Sequence, residues 1–226
     1  LLKLNSEYEA WINKQEEDAK ELSEEYQEAA ANHISNCRSC LSRMKNGVNL
    51  INSDKNVNRA FRLMNHAMLL QQLNYSIETR EWIIAGNSIK GLKDTMIPDI
   101  KDKSTWRPGL GSWRPFQIAF ILMNLNSMAD PEHAERKIVD LIWFPTGGGK
   151  TEAYLGLSAY TIFLKRLIDK EDSGTTVLMR YTLRLLTAQQ FQRAASLICA
   201  CDKIRKDNEN ELGTSRITIG LWVGES

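Results

Sequence analysis

The stretch that decides the predicted fold reads IVDLIWFPTGGGKT and covers residues 138–151. Its first half, residues 138–144, is short and almost entirely apolar, which is typical of a strand buried on both faces of a sheet. After Pro145 and Thr146 come three consecutive glycines and a Lys-Thr pair. A buried strand, a glycine-rich turn and a helix form the setting in which phosphate-binding loops occur. The sequence therefore predicts a phosphate-binding loop at residues 144–151.

Each residue type in this loop suits an anionic ligand. The three glycines let consecutive backbone N–H groups turn inward around a phosphate, and the helix that follows points its positive end at the same anion. We expect Lys150 to reach the β and γ phosphates and Thr151 to bind Mg²⁺ through its hydroxyl, so these two are the predicted catalytic residues and the predicted cofactors are ATP and Mg²⁺. The predicted cofactor-binding residues of the loop are Thr146, Gly147, Gly148, Gly149, Lys150 and Thr151.

Downstream of the loop, helices and strands are predicted to alternate. A helix is predicted from Thr151 to about Leu167, a buried strand at 175–179, a helix from Leu183 past Leu197, and a third strand at 217–223. Strands that alternate with helices favour a parallel sheet with crossover helices. The predicted fold class of this part of the chain is therefore α/β.

Residues 1–32 form an acidic prefix. They contain nine acidic and three basic side chains, a net charge of −6, whereas the rest of the chain carries +7. The prefix has no glycine or proline and is rich in alanine, glutamate and leucine, which predicts a solvated helix that packs through a thin apolar stripe. The total of +1 argues against a protein that binds polyanions over its whole surface.

Two further features divide the chain. A second helix is predicted from about residue 57, because apolar residues recur at spacings of three and four as far as Met68. Residues 86–112 then hold six glycine or proline residues, which predicts a loop-rich connector. We therefore expect a helical N-terminal region over residues 1–112 and a second region over 113–226, whose first helix is opened by Pro115.

The chain has no stretch of about 18 apolar residues, which excludes a membrane-spanning helix. We therefore expect no membrane partner. Its first residues lack the basic start and long apolar segment of a signal peptide, so we expect a cytoplasmic protein. The sequence begins without Met and stops just after an apolar run. We therefore expect it to be a piece of a longer protein.

Four cysteines leave two interpretations open. Cys37 and Cys40 have the spacing of a zinc knuckle, and Cys199 with Cys201 would complete four thiolates. However, both pairs fall in predicted helices. Cys199 and Cys201 are two residues apart and so point to different faces, whereas the three-residue spacing of Cys37 and Cys40 suits packing. Free thiols in a reducing cytosol are the expected state.

The loop sequence Pro-Thr-Gly-x-Gly-Lys-Thr resembles motif I of superfamily 2 helicases and translocases. Those proteins share one departure from the general pattern, which has glycine where this sequence has Phe144. Gln117 lies upstream of the loop and resembles the glutamine with which that superfamily reads adenine. An amide suits this role because it donates and accepts at once. The alternative is that Gln117 is an ordinary residue of a surface helix.

The resemblance continues beyond the loop. Residues 179–190 occupy the place of motif Ia, which touches the nucleic-acid backbone in that superfamily, and this implies that Thr182 and Arg184 bind phosphates. The alternative for Arg184 is a solvated helix charge. Gly224 lies where the glycine of motif Ib is expected, which implies a third nucleic-acid contact.

Together with WRPFQIAF at residues 113–120, these segments resemble the large helicase subunit of the DISARM bacterial phage-defence system. The resemblance spans about residues 57–200. It implies an incomplete RecA-like domain 1 in residues 113–226 and an ATP-dependent DNA helicase or translocase that works with DNA, a partner subunit and DNA methylation components.

The resemblance also implies limits on activity. The acidic motif that holds Mg²⁺ and water, and the arginine finger, lie outside these residues, so we expect this chain alone not to turn over ATP. Two alternatives stay open. The chain could be a nucleic-acid-binding scaffold module with a vestigial loop, or part of a restriction-type translocase driven by nucleoside triphosphates.

Overall fold

The computed structural model describes residues 1–75, 81–93, 97–145, 147–180 and 184–222, with residues 184–187 described by their backbone alone. The chain divides into two compact units, residues 1–62 with 113–164 and residues 63–112 with 165–226. The described elements are α1 (Leu2–Asp18), α2 (Glu24–Ser53), α3 (Lys55–Tyr75), β1 (Trp82–Ala85), β2 (Ser88–Leu92), α4 (Pro115–Ala129), α5 (Lys150–Ile168), α6 (Arg184–Asp207) and α7 (Glu209–Leu212), with short 3₁₀ turns at Ala19–Glu21, Lys103–Thr105 and Ala134–Lys137.

The acidic prefix forms two helices rather than the single helix expected. Ser23 has an extended backbone (φ −61°, ψ 152°) and stands at the N-cap of α2, so the chain turns between α1 and α2. Ile12 of α1 is fully buried, while exposed ion pairs such as Glu9–Lys45 (2.8 Å) join α1 to α2. The acidic helix therefore packs through a thin stripe, as predicted.

The first unit is built around α4, which begins at Pro115 as predicted. Gly47 of α2 lets the two backbones approach closely, because a Cβ at this position would lie 2.2 Å from the Leu122 carbonyl oxygen. Gly156 of α5 makes room for two side chains, because a Cβ there would lie 2.7 Å from the Trp113 ring and 2.9 Å from Ile121 Cδ1. The buried apolar side chains of α2, α4 and α5 in this unit are Leu41, Met44, Val48, Ile51, Ile118, Ile121, Leu122, Leu125, Ala153, Leu155, Ala159, Tyr160, Ile162, Phe163 and Leu164.

The second unit contains the later part of α3, a β-hairpin, α6 and α7. Strands β1 and β2 pair antiparallel across a tight turn in which Gly86 has φ +60°. Arg205 of α6 is 3% exposed and donates to Asp202 (2.7 Å) and to the carbonyl oxygens of Gly213 and Thr214. This buried guanidinium fixes the end of α6 against the turn that follows α7.

The predicted α/β fold with a parallel sheet is wrong. Among the described residues the strands are β1 and β2, which are antiparallel. Strand β2 lies in the region expected to be a loop-rich connector, and β1 directly precedes it. No RecA-like domain is seen in the part of the chain that the structure describes. The described parts of the three predicted strands, residues 138–144, 175–179 and 217–222, have no regular secondary structure.

These three runs are also largely exposed, which explains the error. Val139 is 94% exposed, Trp143 89%, Leu178 83% and Trp222 94%. An apolar run indicates a tendency to be buried, but a strand exists only where a neighbouring chain accepts its backbone hydrogen bonds. The sequence pattern contains no information on that neighbour.

Outside the acidic prefix, the helix predictions are confirmed. Helix α5 spans the predicted segment, and α6 continues well past Leu197, although its predicted first residue lies outside the described residues. Asp54 caps the start of α3, because its Oδ1 accepts from the Val57 N–H at 2.9 Å. The division at residue 112 stays a prediction. Within the described part of the chain, none of the helices has the length and hydropathy needed to cross a membrane.

Candidate phosphate-binding site

The glycine loop has a backbone conformation that favours glycine at two of its positions. Gly147 (φ +78°) and Gly149 (φ +87°) lie in the left-handed region, which side chains with a Cβ rarely adopt. The Gly148 N–H donates to the Pro145 carbonyl oxygen at 3.1 Å, which closes a tight turn. The predicted ligand Thr146 lies outside the described residues. The loop ends where α5 begins, so its glycines stand at the positive end of that helix.

Lys150 is the first residue of α5, and its ammonium group is directed back into the loop. Its Nζ donates to the carbonyl oxygens of Phe144 (2.6 Å) and Pro145 (3.2 Å). A compact positive charge is thereby held next to the glycines, at the N-terminus of a helix. The loop and the lysine therefore form a site whose electrostatics favour an anion.

Phe144, the residue that departs from the general pattern, covers the loop. A Cβ at Gly148 would lie 2.3 Å from Phe144 Cδ1, so only glycine fits beneath this ring. On α4, Phe116 stacks on Phe144 with ring centroids 4.1 Å apart and an angle of 16° between the planes. The aromatic pair thus packs the loop against the start of α4. Sequence reasoning missed it, although the unusual residue at 144 was a signal.

Two polar side chains from the start of α4 bind loop carbonyls. Arg114 Nη1 donates to the Gly148 oxygen at 2.8 Å, and Gln117 Nε2 donates to the Gly149 oxygen at 2.8 Å. Gln117 also accepts from the Arg114 backbone N–H at 2.8 Å, as a glutamine in the first turn of a helix commonly does. Sequence reasoning selected Gln117 but missed Arg114.

The first turn of α5 supplies the remaining predicted groups. Thr151, the predicted Mg²⁺ ligand, is half-buried in this turn. Glu152 follows it, and its Oε2 would lie 3.2 Å from a Cβ at Gly149. This carboxylate at the helix N-terminus interacts favourably with the helix dipole.

The run that leads into the loop is anchored by Arg43 of α2. Its guanidinium donates to both carboxylate oxygens of Asp140 (2.6 and 2.7 Å) and to Glu135 (3.0 Å). The hydrogen bond with Asp140 is the main cause that raises the pKa of Arg43, so the group stays charged. A bidentate pair fixes orientation as well as distance. Arg43 therefore fixes the path of the chain four residues before Phe144.

The side chains of the predicted nucleic-acid contacts lie outside what the structure describes. Thr182 and Gly224 lie outside the described residues, and Arg184 is described by its backbone alone, at the start of α6. The four cysteines have free thiols, and burial raises the pKa of Cys40 and Cys201. In the part of the chain that the structure describes, no group of three or more metal-ligating side chains is found.

Comparison with known proteins supports one part of the resemblance. The chain is 38% identical over 230 aligned residues to the DISARM protein DrmA of Bacillus paralicheniformis, and the match covers 99% of this chain. It covers 19% of the relative, so the chain spans about a fifth of that protein's length. No protein-family model matches the chain.

Proposed function

We propose that this chain is the nucleotide-binding part of a DISARM defence protein that couples ATP hydrolysis to movement on DNA. The observation that carries the proposal is the glycine loop at the start of α5, with the Lys150 ammonium held on two of its carbonyl oxygens. The similarity to the DISARM protein DrmA supports the assignment to bacterial phage defence. The motif resemblance supports the helicase or translocase class.

The residues present fit a nucleoside triphosphate with Mg²⁺. A Cβ at Gly148 or Gly149 would collide with its neighbours, which leaves bare backbone as the surface of the loop. Bound ATP supplies the phosphoanhydride bond whose hydrolysis drives movement. Lys150 would bind its β and γ phosphates, the loop N–H groups would surround them, and the Thr151 hydroxyl would hold Mg²⁺.

Binding requires Lys150 to exchange partners. Its ammonium now bonds the carbonyl oxygens of Phe144 and Pro145, both neutral acceptors. A phosphate oxygen is the stronger acceptor because it carries charge. The lysine would therefore turn from the carbonyls to the phosphates, and the aromatic pair of Phe116 and Phe144 would keep the loop in place.

The DNA contacts of Thr182, Arg184 and Gly224 and the partner subunit stay predictions. The scaffold alternative differs from the proposal in one measurable respect, because a vestigial loop binds no nucleotide. The restriction-type alternative shares nucleotide binding and differs in the chemistry done on DNA.

The test is equilibrium binding of a fluorescent ATP analogue to the full-length protein, with and without Mg²⁺. We expect Lys150→Ala to weaken binding about 10- to 100-fold, because a charge-assisted hydrogen bond contributes roughly 1.5–3 kcal/mol. DNA-stimulated ATP hydrolysis should be lost in the same variant.

The matched control is Lys137→Ala, which removes the same charge from an exposed site outside the loop. It should bind and hydrolyse ATP like the wild type. Equal binding by wild type and Lys150→Ala would show that the loop is not the nucleotide site and would favour the scaffold function.

A further inference from the structure

The side chain of Gln117 is engaged at both ends by this chain itself. Its Oε1 accepts from the Arg114 N–H and its Nε2 donates to the Gly149 oxygen, both at 2.8 Å. The residue is only 4% exposed. An amide has one further lone pair and one further N–H, but here both are buried with the side chain. Hydrogen bonding to a base edge would require this side chain to leave both partners.

The bonds made by Gln117 and Arg114 fix the direction of two loop N–H groups. In a trans peptide unit the C=O and the N–H that follows it are coplanar and point in opposite directions. The peptide bonds of the described residues are trans. The hydrogen bond from Arg114 to the Gly148 oxygen therefore directs the Gly149 N–H away from α4. The hydrogen bond from Gln117 to the Gly149 oxygen likewise directs the Lys150 N–H away from α4.

These two N–H groups need such support because glycine leaves the peptide units free to rotate. Gly149 has φ +87°, and neither its own backbone nor a side chain restricts it to that value. Donors that are already oriented bind an anion without a further ordering cost. A side chain that fixes the opposite end of each peptide unit supplies this orientation.

We infer that Arg114 and Gln117 are positioning residues that hold the Gly149 and Lys150 N–H groups toward the triphosphate, and that Gln117 does not select adenine. The inference rests on the proposed nucleotide binding. On this view the loop recognises the phosphate chain of its ligand, which every nucleoside triphosphate shares. Loss of either side chain should therefore weaken all triphosphates by the same factor.

The experiment measures binding of three ligands to the full-length protein with Mg²⁺: fluorescent analogues of ATP and GTP, and inorganic tripolyphosphate as competitor. Gln117→Ala and Arg114→Ala should each weaken all three about five-fold, the loss expected for one hydrogen bond, and leave the ratio of ATP to GTP affinity unchanged. Asn124→Ala is the matched control. It removes a buried amide from the same helix, one whose Nδ2 donates to the Phe120 oxygen at 2.8 Å, and it should leave all three affinities unchanged.

A second variant separates loop positioning from helix capping. In Gln117→Glu, the carboxylate still accepts from the Arg114 N–H but cannot donate to the Gly149 oxygen. Under our inference it binds all three ligands at least as weakly as Gln117→Ala. If Gln117 merely caps α4, this variant restores wild-type affinity, and the inference is overturned.

The outcomes also separate the inference from the function on which it rests. If Gln117→Ala weakens ATP while GTP and tripolyphosphate keep their affinities, the residue reads adenine and only the inference fails. If the wild-type protein binds none of the three ligands, the proposed function fails and the inference fails with it.

Discussion

Two apolar segments of the first unit differ in burial. In α4, the side chains of Ile121, Leu122 and Leu125 are fully buried. In residues 138–144, Val139 is 94% exposed and Leu141 is 80% exposed. Both segments are rich in large apolar residues, so composition alone predicts the same burial for both.

The difference lies in where each segment finds its hydrogen bonds. A helix satisfies its interior backbone groups within itself, so α4 needs only a surface to pack on, and Gly47 gives it close contact with α2. An extended segment satisfies its backbone only through another chain segment or water. Among the described residues, the run of 138–144 has no paired strand and is anchored by a polar contact, the Arg43–Asp140 ion pair.

The largest effect should come from the core of α4. We expect Leu122→Ala to lower the free energy of unfolding by about 2–5 kcal/mol, because it removes a fully buried side chain and leaves a cavity. The matched change in the run, Val139→Ala, should alter it by less than about 0.5 kcal/mol. Urea denaturation of both variants measures the difference, and equal losses would show that the run is as buried as the helix.

A smaller effect should follow from removing the anchor of the run. Arg43→Ala leaves Asp140 and Glu135 without their shared cation in a mostly buried setting, which should cost about 3 kcal/mol. Arg43→Lys should recover only part of this, because an ammonium cannot form the bidentate pair.

Arg38 provides the control on the same helix. Its ion pair with Glu16 is much more exposed, so Arg38→Ala should cost less than about 1 kcal/mol in the same denaturation experiment. A loss at Arg38 as large as that at Arg43 would contradict the view that burial makes the Asp140 pair important.

The smallest effect concerns the run of 217–222 in the second unit, where Asp202 accepts from the Ile217 N–H at 2.9 Å. Burial alone would raise the pKa of Asp202, but hydrogen bonds from Arg205 and Ile217 and the nearby arginine charges outweigh it and lower the pKa. A lowered pKa means that the carboxylate stabilises the fold above about pH 4, the ordinary value for Asp, and that this contribution is lost as the pH falls through the folded-state pKa.

Unfolding free energies of wild type and Asp202→Asn, measured from pH 7 down to pH 3, test this linkage. The difference between the two proteins should be constant near neutral pH and shrink toward pH 3. A difference that does not change with pH would exclude a role for the charge of Asp202.

The contrast also explains how much the sequence could predict. The starts of α3 and α4 and the glycine loop were predictable, because each depends on neighbours in sequence: Asp54 as a cap, Pro115 as a first residue, and glycines where φ is positive. The three strands were not predictable, since pairing depends on segments far away in the chain.

In the candidate site, too, features that depend on neighbours in sequence were predictable and long-range contacts were not. Lys150 and the glycines follow from a local pattern, whereas the contacts of Arg114 and of Phe116 with the loop join residues about thirty positions apart. Gln117 was selected through a family resemblance, and its bond to the Gly149 oxygen could not be deduced from the sequence. The loop residues were therefore predictable from the sequence, whereas the contacts that hold the loop in place were not.

The exposed run before the loop has a consequence for how copies of this chain behave together. Val139, Leu141 and Trp143 are exposed apolar side chains at every second position, and the backbone groups beside them have no strand partner in the described residues. Such a run is the kind of edge on which copies stack as the protein is concentrated. Pro145 has no N–H to contribute to a ladder, so stacking that begins on the run stops before it reaches the glycine loop.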